Sequence, residues 1–127
     1  MNERQRAEKA ILAAQETKAE NIVLVDLDNR SSVADFVVIC SGRSQGHVRG
    51  IVDRIEEMLR LDQLKPLAVE GYQEGSWVLM DYDMLLVHVF HPDTRSYYDL
   101  EELLSDFPHE VITPPEDPSG GETTSAA

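Results

Sequence analysis

Val48, Ile51, Val52, Ile55, Met58 and Leu59 recur at i, i+3, i+4, i+7, i+10 and i+11, the spacing of one helical face, soon after the apolar run Phe36-Val37-Val38-Ile39-Cys40. A short run that is apolar on both faces reads as a buried strand. A helix that follows it through Ser41-Gly42-Arg43-Ser44 must lay its apolar stripe back on that strand's sheet. This pairing indicates an α/β architecture. Gly42 is the expected strand break, Ser44 the expected N-cap and Lys65-Pro66 the expected stop.

The rest of the chain supplies partners for this unit. Ala7, Ala10, Ile11 and Ala14 mark a modest amphipathic helix from about Ala7 to Lys18. The run Ile22-Val23-Leu24-Val25-Asp26-Leu27 predicts a strand, and its short polar link to Phe36 favours an antiparallel pair. Leu67-Ala68-Val69-Glu70 predicts a short strand. Trp77-Val78-Leu79-Met80 and Leu85 to Phe90 predict a hairpin through Asp81, Tyr82 and Asp83, closed by His91-Pro92. A helix over Leu100 to Leu104, capped by Asp99, completes the order α-β-β-α-β-β-β-α, a mixed sheet of about five strands packed with helices. Residues 1–107 are expected to form one domain. Residues 108–127 are acidic, rich in proline and glycine, and too poor in apolar side chains to offset the entropy of ordering, so a disordered tail is expected there.

Charge narrows the partners. Of a formal net charge of −13, residues 61–127 hold Lys65 and Arg95 against 14 acids, which is −12. A direct grip on nucleic-acid phosphates from that half is disfavoured, because such binding relies on lysine and arginine, so no sequence-specific nucleic-acid partner is expected and a basic protein suits it better. Cys40 has no second cysteine to pair with. No stretch approaches the roughly 20 apolar residues of a membrane span, and the first residues lack the apolar core of a secretory signal. Cytoplasmic localisation is the expectation.

Catalytic patterns are weighed and set aside. Ser41 to His47 opens a helix after a strand, where backbone N–H groups could hold a phosphate, but it lacks the lysine of a P-loop and the glycine spacing of a dinucleotide fingerprint. Asp26 with Asp28 and Asp81 with Asp83 are spaced like the magnesium-holding carboxylates of a nucleotidyltransferase. The first pair precedes the glycine loop and the second falls at a hairpin tip, so turns explain both better. His88 and His91 offer too few ligands for zinc, and His88 shares a strand face with Leu86 and Phe90. Cys40 falls mid-strand. No catalytic residue, metal or cofactor is expected.

What stands out is a concentration of Trp77, Met80, Tyr82, Phe90, Tyr97 and Tyr98 flanked by Glu70, Glu74, Asp81, Asp83, Asp99, Glu101 and Glu102. Aromatic anchors within a polar rim suit protein binding, and alternate strand residues allow core and interface to share one hairpin. Three blocks here resemble the ribosomal silencing factor family, also called Iojap-related. They are Asp35-Phe36-Val37-Val38-Ile39-Cys40-Ser41-Gly42-Arg43-Ser44 with His47-Val48 and Ile51; Glu70-Gly71 with Trp77-Val78-Leu79-Met80-Asp81-Tyr82; and Val87 to Arg95 with Tyr97-Tyr98-Asp99-Leu100-Glu101. Their order and spacing agree over roughly Ala7 to Asp106.

The resemblance implies a nucleotidyltransferase-like fold without catalytic residues. It implies a protein that binds ribosomal protein uL-fourteen on the large subunit, blocks the small subunit and lowers translation when nutrients are scarce. Organellar relatives are linked to large-subunit assembly, and members can self-associate as dimers. Carried onto this chain, it places the partner-binding surface on Trp77, Leu79, Asp81 and Tyr82, with Tyr98, Asp99 and Leu100 beside it and Glu70 adding charge. Gly46 where a basic residue is usual, Asp83-Met84 for Gly-Asp, and Leu104 for a frequent tryptophan depart from the family pattern. A nucleotide-using transferase on the same fold, and an RNA-contacting scaffold using Arg43, Arg49, Arg54 and Arg60, are the competing readings.

Overall fold

A computed structural model describes residues 2–28 and 30–114. The first helix, α1 (Glu3–Glu16), begins in a capping box: Asn2 accepts the Gln5 backbone N–H at 2.8 Å and the Gln5 side chain returns to the Asn2 N–H at 2.9 Å. Its stripe of alanines with Ile11 is buried, and such small side chains let the helix lie close against its neighbours. Strands β1 (Glu20–Asp26) and β2 (Phe36–Ser41) pair antiparallel, as their short link requires. Helix α2 (Gln45–Arg60) starts on Ser44, which accepts the His47 N–H, and buries the stripe Val48 to Leu59. It ends at Arg60, before Lys65-Pro66, where Gln63 takes a left-handed conformation.

Beyond α2 come β3 (Ala68–Glu70), β4 (Trp77–Asp81) and β5 (Leu85–Phe90), which form a meander whose last strand lies parallel to β2. The sheet is mixed, in the order β3-β4-β5-β2-β1-β6. Strand alternation sorts the core in two. Leu24, Val38, Cys40, Val78, Met80, Tyr82, Val87 and Val89 meet α1 and α2. On the reverse face Val23, Val25, Val37, Ile39 and Phe90 meet Leu100, Leu104 and Phe107.

Two elements depart from expectation. Strand β5 ends before His91-Pro92 as expected, but the helix that follows at once, α3 (Pro92–Tyr98), has no counterpart in the expected order: Pro92 occupies its first turn, where its missing N–H has no cost, and His91 serves as N-cap. Helix α4 (Leu100–Leu103) follows after a break at Asp99. The sixth strand, β6 (His109–Val111), lies beyond the expected domain end at Phe107 and pairs with β1 through Val23↔Val111 and Val25↔His109. The disordered tail expected from residue 108 is therefore corrected for residues 108–114. The outer edge of β1 carries backbone groups beside a buried core, and Pro108 and β6 satisfy them despite the segment's polarity. Residues 115–127 of that expected tail lie outside the described residues.

Candidate docking surface

The surface begins with the register of one hairpin. Cross-strand pairs Glu70↔Leu79 and Leu79↔His88 set these three side chains in a row on the reverse face, and Trp77↔Phe90 makes a second row. Asp81 accepts the Asp83 N–H at 2.8 Å, and Asp83 is left-handed at φ 74°. This side-chain turn closes the hairpin.

Trp77 is half-buried and serves two roles. Its ring stacks on Phe90 with centroids 4.9 Å apart, and Tyr98 of α3 meets it at 4.8 Å. Its indole N–H donates to His88 Nδ1 at 3.0 Å. His88 is buried, which lowers its imidazole to about 4 and keeps it neutral, as an acceptor must be. Tyr98 is 52% exposed and packs edge-on against Tyr97, which is 81% exposed. Leu79 and Asp81 are half-buried on the same face. Glu70 and Asp99 are exposed, and Leu100 reaches down into the reverse core.

Asp99 occupies the break between α3 and α4 with φ 49° and makes no side-chain capping bond, so the expected cap is there in position but not in hydrogen bonding. A guanidinium spans this break. Arg95 donates to both carboxylate oxygens of Glu101, at 3.0 and 2.8 Å, and to Ser41 Oγ at 2.8 Å. These bonds hold the Glu101 carboxyl below the usual range.

Of the expected site residues, Trp77, Leu79, Asp81, Glu70, Tyr98, Asp99 and Leu100 fall on this one side. Tyr82 does not. It is 3% exposed and packs in the helix-facing core, because Val78, Met80 and Tyr82 alternate with Trp77, Leu79 and Asp81. Among the described residues its hydroxyl has no hydrogen-bond partner. His88, by contrast, reads in the sequence only as a zinc ligand or a core or half-buried residue. A two-residue offset along β5 from Phe90 was the available signal that it would stand beside Trp77.

The other candidates are absorbed by structure. Asp26 accepts the Asp28 N–H at 2.8 Å, so both Asp-x-Asp pairs are side-chain turns. His47 Nδ1 accepts the Arg43 N–H at 2.9 Å, which leaves Nε2–H to donate to the Thr17 carbonyl at 2.7 Å and ties the glycine loop to α1. His91 caps α3. Cys40 is fully buried, and burial pushes its thiol up to about 12. Arg54 pairs with Glu16 and Glu57 and Arg60 pairs with Glu56, so two of the four arginines of the basic stripe are neutralised by their own protein, while Arg49 donates to the Gln73 carbonyl and Arg43 lies 4.0 Å from Glu20. Among the described residues, no group of three or more ligating side chains could hold a metal, and no helix is long and apolar enough to cross a membrane.

The fold is that of a small mixed α/β protein that carries an aromatic cluster on one face of its sheet. The chain belongs to the ribosomal silencing factor family: the model described as "Ribosomal silencing factor during starvation" matches residues 1–127. The ribosomal silencing factor of Bacillus subtilis is 38% identical over 108 residues, covering 85% of this chain and 92% of that one. The crystal structure of protein CV0518 from Chromobacterium violaceum superposes with a TM-score of 0.80 at 28% identity, covering 83% of this chain and 88% of that one. A more distant relative, "Mitochondrial assembly of ribosomal large subunit protein 1" of Mus musculus, is 26% identical over 88 residues, 67% of this chain and 39% of its own length.

Proposed function

We propose that this protein acts in the cytoplasm by docking on the large ribosomal subunit through the Trp77 face, engaging the basic ribosomal protein uL-fourteen and keeping the small subunit from joining. The supporting observation is the Trp77 ring, half-exposed yet held by Phe90, His88 and Tyr98. A rigid aromatic anchor of this kind loses little side-chain entropy on binding and typically contributes about 2–4 kcal/mol at an interface. Asp81, Asp99 and Glu70 provide the carboxylates for lysine or arginine on the partner. Rim pairs of that type contribute only about 0–1 kcal/mol each, so they steer more than they hold.

Blocking by occupancy needs no chemistry from this chain, and the carboxylate pairs that a transferase would need are closed into turns. A role in large-subunit assembly is the second reading, favoured by the name of the mouse relative. It uses the same docking step.

The test is co-sedimentation of Trp77→Ala with purified large subunits, followed by subunit joining with small subunits added. Loss of both binding and blocking, with circular dichroism showing a folded chain, is the expected result. Normal co-sedimentation would sink the proposed surface. Binding that leaves joining unimpaired would favour assembly over silencing.

A further inference from the structure

Helix α4 spans only Leu100–Leu103, and a single turn has too few internal hydrogen bonds to fix its own position. The left-handed Asp99 that precedes it makes no side-chain bond to α4. Tertiary ties must therefore hold the α3–α4 corner, and with it Tyr98 and Leu100. Beside the apolar contacts of Leu100 and Leu104, Arg95 provides polar ones from both sides of the break. It leaves α3, reaches over Asp99 to grip both oxygens of Glu101, and donates its remaining Nη to Ser41. Ser41 is buried at the end of β2 and stands in register with Phe90, the residue whose ring lies against Trp77.

We propose that Arg95 and Glu101 are positioning residues for the docking surface: anchored on Ser41, their fork sets the α3–α4 corner so that Tyr98 already lies against Trp77 before a partner arrives. This inference rests on the Trp77 face being the docking surface. The planar guanidinium is suited to the task because it binds two oxygens in one plane while sparing a donor for a third. The Arg95 side chain is only 11% exposed and that of Glu101 31%, so water competes weakly for the pair. An aromatic pair preset in this way need not be ordered during association.

The test uses the full chain and purified large subunits, with Glu101→Gln, Arg95→Lys, Tyr98→Ala and the Glu101→Gln/Tyr98→Ala double variant. Trp77 is the single tryptophan, so intrinsic emission reports on Tyr98 packing without any ribosome. Glu101→Gln and Arg95→Lys should shift that emission in the direction Tyr98→Ala does and weaken binding about tenfold, mainly through faster dissociation. The double variant should bind no more weakly than Tyr98→Ala alone, because the fork acts through that ring. A merely stabilising ion pair would instead give additive losses in the double variant, and that result overturns the proposal. So does wild-type emission and affinity in Glu101→Gln. Should Arg95→Lys fail to fold, Glu101→Gln, at the more exposed end of the pair, carries the test alone. Normal binding by Trp77→Ala would fail the docking reading itself, whereas lost binding in Trp77→Ala beside unchanged binding in Glu101→Gln fails only the positioning role.

Discussion

The indole N–H of Trp77 donates to Nδ1 of His88 across the β4–β5 ladder at 3.0 Å, joining the most interface-like side chain of the molecule to a buried, neutral imidazole. Burial lowers His88 to about 4, whereas an unfolded histidine titrates near ~6.5. Between these values the unfolded chain takes up a proton that the native chain does not. The stability is therefore complete above about pH 6.5 and is lost as pH falls toward 4, by up to about 3 kcal/mol. Urea unfolding of wild type and His88→Gln across that interval checks this: the wild-type curve should fall more steeply. Equal slopes would remove His88 as the cause.

Tyr82 and Trp77 should behave as opposites although both belong to one motif. The Tyr82 hydroxyl is buried with no partner among the described residues, so Tyr82→Phe should leave stability unchanged or raise it by about 0–2 kcal/mol. It should also leave large-subunit binding unchanged, because the ring lies in the helix-facing core. Thermal melts and co-sedimentation of the purified variant decide the point. A binding loss without a stability loss would return Tyr82 to the docking surface.

Strand β6 gives a third expectation. Ending the chain after Phe107 removes the pairing with β1, including the Ile112 N–H to Ile22 carbonyl bond, and uncovers Val23 and Val25. A stability loss of about 2–4 kcal/mol relative to the full chain is expected from the lost ladder and apolar cover. Chemical denaturation of the two chains measures it. Matching midpoints would mean that β6 contributes nothing to the domain.

Cys40, with its thiol pushed up to about 12 and no exposed surface, should resist an aromatic disulfide reagent in the native protein and react at once in denaturant. Native labelling should proceed no faster than opening of the sheet, and should slow in parallel with any variant that stabilises the fold. Labelling within the mixing time at neutral pH would contradict the burial of β2.

The central helix, the buried strands and the β4–β5 hairpin were legible because each is marked by local periodicity: the stripe from Val48 to Leu59 has one helical solution, and Phe36 to Cys40 has one strand-like one. The errors came at residues whose local signal points two ways. Pro92 marks the end of a strand, as expected, and also the start of a helix, which only the chain beyond it shows. The segment His109–Val111 has a polar, proline-flanked sequence, and it becomes a strand because β1 presents an unpaired edge to it.

The same division holds for the candidate surface. The sequence by itself determined the α/β class, the acidic second half, the aromatic cluster and the family, since those depend on composition, local period and motif order. The tertiary structure decided which aromatics face outward, because a side chain's face follows from strand register: it turned Tyr82 into the core and left Trp77 and Leu79 on the open side. It also brought His88 to Trp77 and Arg95 to Ser41, 54 positions away in the chain, pairings set by sheet order and helix docking rather than by any local preference.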